Sequence, residues 1–404
     1  MKPVTALLLA LAFPAMLHAE TPDDAALRGM DWIRITETAR GGEVNFFLWG
    51  GSDTINRYVS EDIAAILARD YDITLNRVGL TDTAEAVTIV LAETEAGVIE
   101  GSVDLIWING ENFRTLRQAD LAWCNVTGLL PNSALVDWQS PAIANDFGTP
   151  VEGCEQPWNT TQFAFAHDTA RLPDPPRSIP ALLEWIRANP GQFTYPAPPD
   201  FNGSAFVRHV FTHAAGGPDA LTGPFDQARF DAVASKTWAI LNELKPHLWR
   251  AGRTYPASIT QLNDLFANSE VALTFNYDAA QFGQAVDAGL FPPTTRSYGL
   301  TDGTLANTNY TLIPFNAANK AAALVTQNLL LSGEAQLRKA DPAVWGAAPA
   351  IALDRLEARL QAAFAALPRH PSVIAMQDIG PTLPELQADW ISAIEAGWKA
   401  NVGQ

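Results

Sequence analysis

Basic residues, sulfur and long apolar runs are what this chain has least of. Its 404 residues include 26 lysines and arginines against 44 acids, a formal charge of −18. Such a surface repels phosphate backbones and anionic lipid heads, so nucleic acid is excluded as a ligand. Only 17% of residues are charged, and no low-complexity tract or internal repeat breaks the globular pattern. Past the N-terminus no stretch reaches the ~18 apolar residues that a membrane span requires. Two cysteines exclude a disulfide-dense scaffold, and a metal held by the pair is disfavoured because no third ligand lies nearby.

What is present starts with MKPVTALLLALAFPAMLHAE. Lys2 supplies a positive end, Val4 to Phe13 an apolar centre, and Leu17-His18-Ala19 a cleavage site before Glu20. Residues 1–19 read as a secretory signal peptide, too short to remain as a span. No cysteine stands just after the cleavage point, so no lipid anchor is expected. Roughly 385 residues then remain, enough for two ordinary domains. In an exported chain the pair Cys124 and Cys154 is most economically one disulfide, with two free thiols the alternative. Closing a loop of about 30 residues would stabilise the fold by roughly 3 kcal/mol.

Strand and helix patterns alternate, which implies α/β layers with mostly parallel sheets. Asp31 to Arg40 reads as a helix and Val44 to Trp49 as a strand. Ser52 or Asp53 caps a helix to about Arg69, Asp72 to Val78 is a strand, Thr83 to Ala96 a helix, and Val103 to Ile108 a buried strand. Residues 125 to 160 are punctuated by proline and glycine, a length of loop that is usually functional. Later strands are expected at Thr161 to Ala166, Phe193 to Pro196, Val271 to Tyr277 and Asn309 to Pro314. Helices are expected at Ile179 to Ala188 and from Ala205.

Three connections share one pattern: apolar strand, glycine with small polar residues, helix. They are WGGSD (49–53), INGEN (108–112) and PPDFNGSAF (198–206). In open α/β sheets ligands sit at the carboxyl ends of strands, where glycine permits close approach and Ser and Asn supply directed hydrogen bonds. Together the three predict a binding cleft.

At this level the chain resembles type II periplasmic solute-binding proteins of bacterial ABC importers, the cluster with polyamine- and thiamine-type binders, and within it most nearly the YnjB-type branch. WGGSDTINRY (49–58), LTDTAEAV (80–87), GSVDLIWINGENF (101–113), LLPN (129–132), DFGTPVEG with PWNTTQF (146–163) and NPGQFTYPAPPDFNGSAF (189–206) carry the resemblance, and IPFNAANKAAALVTQNLLLSGEAQ (313–336) continues it. It covers almost the whole chain after the signal. The resemblance implies a two-lobe α/β clamp with mixed, mostly parallel sheets and hinge strands between the lobes. Lobe I would comprise residues 20–162 plus about 279–312, and lobe II 163–278 plus about 313–404. The implied crossings are Gln162 to His167, Leu273 to Asp278, and Asn309 to Pro314. A small solute would be held between the lobes and passed to an ABC permease in the inner membrane. The protein is expected in the periplasm, as a monomer without cofactor or metal.

By the same analogy Trp49, Gly51, Ser52, Asn109 and Glu111 face the ligand from the first lobe, and Asp200, Asn202 and Ser204 from the second. Tyr277, Asp278, Asn307 and Asn309 lie beside the hinges. Asn307 and Asn309 stand where polyamine binders have a Trp and an Asp, which argues against a polyamine. Each has a plainer reading. Two glycines after Trp49 leave its face uncovered, yet it also suits a strand-end core position. Trp107 reads as core. Glu111 suits a helix cap, Asp200 a turn, and Tyr277-Asp278 hinge packing. If several acids line the cleft the solute is cationic; Arg57 and Arg208, a turn or two beyond the loops, would instead suit an anion. The seven tyrosines are dispersed, which argues against ferric binding.

An enzyme on an α/β scaffold, a secreted hydrolase or transferase, is the alternative. His209 and His213 share a helix face at zinc spacing, but the motif's glutamate is replaced by Val210 and no third ligand is evident. G-x-S-x-G is absent around Ser204. A binding lobe kept for sensing is a third possibility.

Overall fold

The computed structural model describes residues 22–375 and 378–403, so the expected signal peptide lies outside the described residues. Among these residues no helix is long and apolar enough to cross a membrane. The strands are β1 (Glu43–Trp49), β2 (Thr74–Leu80), β3 (Leu105–Ile108), β4 (Asn145–Asp146), β5 (Thr149–Pro150), β6 (Glu155–Gln162), β7 (Ala164–Asp168), β8 (Leu273–Asn276), β9 (Thr295–Tyr298), β10 (Thr304–Leu312), β11 (Ala348–Pro349) and β12 (Thr382–Pro384). One sheet runs β11-β6-β10-β3-β1-β2 with β12 beside β10, and a second runs β8-β7-β9.

The centre of the first sheet is apolar on both faces, as parallel strands covered by helices must be. Val44, Phe46 and Leu48 of β1 are buried with Leu105, helix Lys320–Leu330 and Trp158. Phe47 turns the other way, toward Ile106, Ile108 and helix Ala84–Glu95. Asp31 caps helix Trp32–Ala39 by accepting the Arg34 N–H at 2.9 Å. Ser52 caps the helical run that follows, which continues through π-helical turns at Tyr58–Ile63 and Leu67–Tyr71 and stops at left-handed Asp72.

The sheets are mixed, as expected, with a larger antiparallel share than the sequence suggests. β1 runs parallel to β2 and β3, but β10 opposes both β3 and β6. The second sheet is wholly antiparallel. The strand expected over Thr161 to Ala166 is two strands parted at Phe163, whose N–H donates to Leu305 O at 2.8 Å. β6 belongs to one sheet and β7 to the other, so the chain crosses there. The other two crossings differ from expectation. Leu273 to Asp278 stays in the second sheet through its pairing with β7, and Asn309 to Pro314 stays with the first sheet. The chain instead crosses between Tyr298 of β9 and Thr304 of β10, and again at Glu385, after β12 and before helix Ala388–Asn401.

The lobe division shifts accordingly. Phe282, Phe291, Tyr298 and Leu300 pack in the second core with Phe165 and Phe206, not in lobe I. Ile313 to Leu330, Trp345 and Ala347 pack in the first core, not in lobe II. The end of the chain, Leu386 to Val402, returns to the second core. The irregular stretch contains short helical turns and the small β4–β5 hairpin, and Cys124 is joined to Cys154 beneath it. Phe193 to Pro196 is buried but forms no strand.

Candidate solute site

The carboxyl ends of β1 and β3, the strand β10, and the start of helix Phe201–Ala215 carry the residues singled out by sequence. That helix begins four residues earlier than expected, because Asp200 caps it: its Oδ1 accepts the Gly203 N–H at 2.8 Å and its Oδ2 the Ile259 N–H at 3.0 Å. Asn202-Gly203 is therefore a first helical turn rather than a loop turn. Gly203 is required there, since a Cβ would lie 2.1 Å from Pro196 O. Asp200 is thus a structural acid.

Six of the expected residues meet at one seam. Asn109 Nδ2 donates to Asn309 Oδ1 at 3.0 Å, joining β3 to β10. Asn307, on the same face of β10, donates to Glu385 Oε1 at 3.4 Å, and its Oδ1 accepts from Thr161 Oγ1 at 2.8 Å. Tyr277 OH also donates to Glu385 Oε1, while the Tyr277 N–H donates to Asn202 Oδ1 at 3.2 Å. Next in chain, Asp278 accepts from Trp345 Nε1 at 3.2 Å and from the Ala280 N–H at 3.1 Å. Burial pushes the Asp278 carboxyl up from its ordinary range against those donors. Ser204 Oγ donates to Glu395 Oε1 at 2.6 Å. Glu111 is exposed on the first turn of helix Gly110–Gln118, where its charge adds to burial in raising the Glu395 pKa.

Trp49, Gly51 and Ser52 are not drawn into this network. The Trp49 indole is covered by its own loop: a Cβ on Gly51 would sit 2.2 Å from Trp49 Cζ2. The ring packs against the first core and stays half-buried. Ser52 caps a helix by accepting the Ile55 N–H at 3.4 Å.

Sequence reasoning discounted Arg208 and missed Glu385. They form an ion pair at 2.7 Å with side chains only 1% and 4% exposed. Arg208 interrupts an apolar helix run between Val207 and Val210, and a charge in that position demands a buried acid elsewhere. Phe147, at the tip of the β4–β5 hairpin with backbone φ +43°, lays its ring 6.4 Å from Phe201 and 5.8 Å from the Arg208 guanidinium. The preceding Asp146 accepts the Gly110 N–H at 2.7 Å. Asp146 and Glu155 are buried, Asp146 Oδ1 and both Glu155 oxygens lack partners, and burial raises both carboxyls well above their ordinary range. His209 uses both ring nitrogens within the fold: Nδ1 lies 2.8 Å from Ala205 O, and Nε2 accepts the Leu305 N–H at 3.0 Å. Burial pushes its pKa down to about 4. That is a neutral structural histidine, not a metal ligand.

Beside the seam lies a cavity of about 590 Å³. β6 residues Asn159 to Gln162, helix Ala280–Asp287 and residues 346–349 wall it, and residues 353–375 cover it. It shares Tyr277 and Asp278 with the expected set.

The comparisons agree with this architecture. Residues 62–366 match the family described as bacterial extracellular solute-binding protein. Protein YnjB of Escherichia coli K12 is 38% identical over 380 residues, covering 94% of this chain and 95% of its own. Solved structures share the fold at lower identity. An ABC transporter from Clostridium perfringens is 16% identical, TM-score 0.60, over 89% of this chain and 98% of its own. The spermidine/putrescine ABC transporter substrate-binding protein PotD of Streptococcus pneumoniae is 13% identical, TM-score 0.60, over 89% and 98%. The periplasmic binding protein AfuA of Actinobacillus pleuropneumoniae, with fructose-6-phosphate bound, is 13% identical, TM-score 0.59, over 90% and 99%. The chain belongs to the bacterial extracellular solute-binding proteins.

Proposed function

We propose that this protein is the periplasmic solute-binding subunit of an ABC importer, a monomer that closes on a small solute and delivers it to a membrane permease. The observation that carries the reading is the position of the polar seam and the cavity: both lie where single strands cross between two separately cored sheets. A solute held there touches both bodies only when they are together, so binding favours the closed arrangement. Asn109, Asn202, Tyr277, Asp278, Asn307 and Asn309 are the residues assigned to sensing closure. The protein acts as a carrier rather than a catalyst. Ser204 Oγ is committed to Glu395, and both His209 nitrogens are committed to backbone, which supports that reading.

The test is reconstitution of a cognate ABC permease and its ATPase in proteoliposomes. ATP hydrolysis should rise when the loaded protein is added and solute should accumulate inside. Unchanged hydrolysis and transport, or chemical conversion of the solute by the protein alone, would sink the reading.

A further inference from the structure

We propose that the solute is an amphipathic organic cation, an ammonium on an apolar frame, seated in the cavity beside β6; this rests on the solute-binding reading and names the chemistry of its ligand. The cavity's 590 Å³ falls within the roughly 300–1,000 Å³ typical of small-molecule sites. Much of its wall is carbon, from Ala280 and Gly283 on one body, Ala347 and Pro349 on the other, and Phe364 and Val373 on the covering segment. A polyol placed there would lose hydration at most of its hydroxyls without replacement.

The polar groups lining it are unbalanced in a definite direction. Most of its side-chain donors, the Asn159 amide apart, are already used within the protein. Thr160 Oγ1 donates to Pro349 O, Thr161 Oγ1 to Asn307, Gln162 Nε2 to Thr304 Oγ1, Gln284 Nε2 to Trp345 O, and Tyr277 OH to Glu385. Acceptors remain. Asn159 is 2% exposed and its Oδ1 has no partner. Asp278 accepts only from neutral groups, the Trp345 indole, the Ala280 backbone amide and the Gln281 side chain, and no ion pair among the described residues neutralises it. A buried carboxylate with neutral donors alone is stabilised by a cation brought to it. An anion entering the cavity would meet that carboxylate. Of the cavity's own basic groups, His370 pairs with Asp287 at 3.2 Å, and Arg369 is exposed.

Calorimetric titration of the protein without its signal peptide, at neutral pH, against phenethylamine, phenethyl alcohol and phenylacetate isolates the charge on one frame. The amine should bind at least about ten-fold more tightly than the alcohol, and the acid least. Asp278→Asn should remove about ten-fold of the amine's affinity and leave the alcohol unchanged. Ala348→Phe fills the cavity and should abolish binding of both, with the fold checked by circular dichroism. Equal binding of the three probes, tightest binding of the acid, or no binding of the amine overturns the cationic class. Amine binding that survives Ala348→Phe moves the solute to the Asn109–Ser204 side and overturns the cavity assignment. None of these results bears on import, which the proteoliposome assay decides separately.

Discussion

Arg208 and Glu385 show how one residue pair fixes the seam. Both side chains are almost fully buried, and Tyr277 and Asn307 converge on the same carboxylate. Removing one partner of such a pair leaves an uncompensated buried charge, at a typical cost of about 3–5 kcal/mol, whereas replacing both by apolar residues is often neutral. Glu385→Gln should therefore lower the urea midpoint sharply, and Arg208→Met with Glu385→Leu should recover most of the loss. A single variant as stable as the parent would show that the pair is not held as described. Asp146 and Glu155 act in the opposite sense. Burial raises both carboxyls, so above the ordinary carboxyl pKa of about 4 the folded state binds more protons than the unfolded one. Their stabilising contribution is present below that pKa and lost as pH rises through the folded values. Asp146→Asn with Glu155→Gln should thus raise stability at pH ~8 and change it little near pH ~4. Urea midpoints across that range that differ from the parent by a constant amount would refute the assignment.

At the scale of elements, the Cys124–Cys154 bridge closes a loop of 30 residues that carries the β4–β5 hairpin and Phe147. Cys124→Ser should lower stability by roughly 3 kcal/mol, read from denaturant midpoints with and without reductant. Reductant should destabilise the parent and leave the variant unchanged; equal sensitivity in both would count against the bridge. Elements with strong local signals were legible in the sequence. Ser52, one of the two residues offered as a cap, caps its helix, and helix Ile179–Ala188 has the expected bounds. Misreadings arose where tertiary contacts decide. Asp200 caps its helix through Gly203 while its other oxygen is held by Ile259, a residue far along the chain, and at the break Phe163 bonds Leu305. Gly51 lies against the Trp49 ring, a contact no spacing rule supplies.

For the whole molecule, sequence pattern implied an α/β chain, and the family resemblance supplied the clamp with one of its three expected crossings, that near Phe163. The lobe boundaries were less legible, because they depend on which core each late segment joins. Leu324 and Trp390 are equally apolar choices on paper, yet one packs with Phe46 and the other with Phe211. Of the residues expected at the site, Asn109, Asn307, Asn309 and Tyr277 converge on one seam, but the buried Glu385 that joins two of them lies in a segment without any motif. The central claim is that one small solute is held between the two bodies. A thermal-shift screen of the mature protein against small metabolites tests it most directly, with organic cations, polyols, carboxylates and phosphorylated compounds represented. A solute at 100 times its Kd should add about 2.7 kcal/mol of stability. The account predicts a clear rise in Tm with at least one member and no rise for the same member with Ala348→Phe. A panel that shifts neither protein, or both alike, would contradict it.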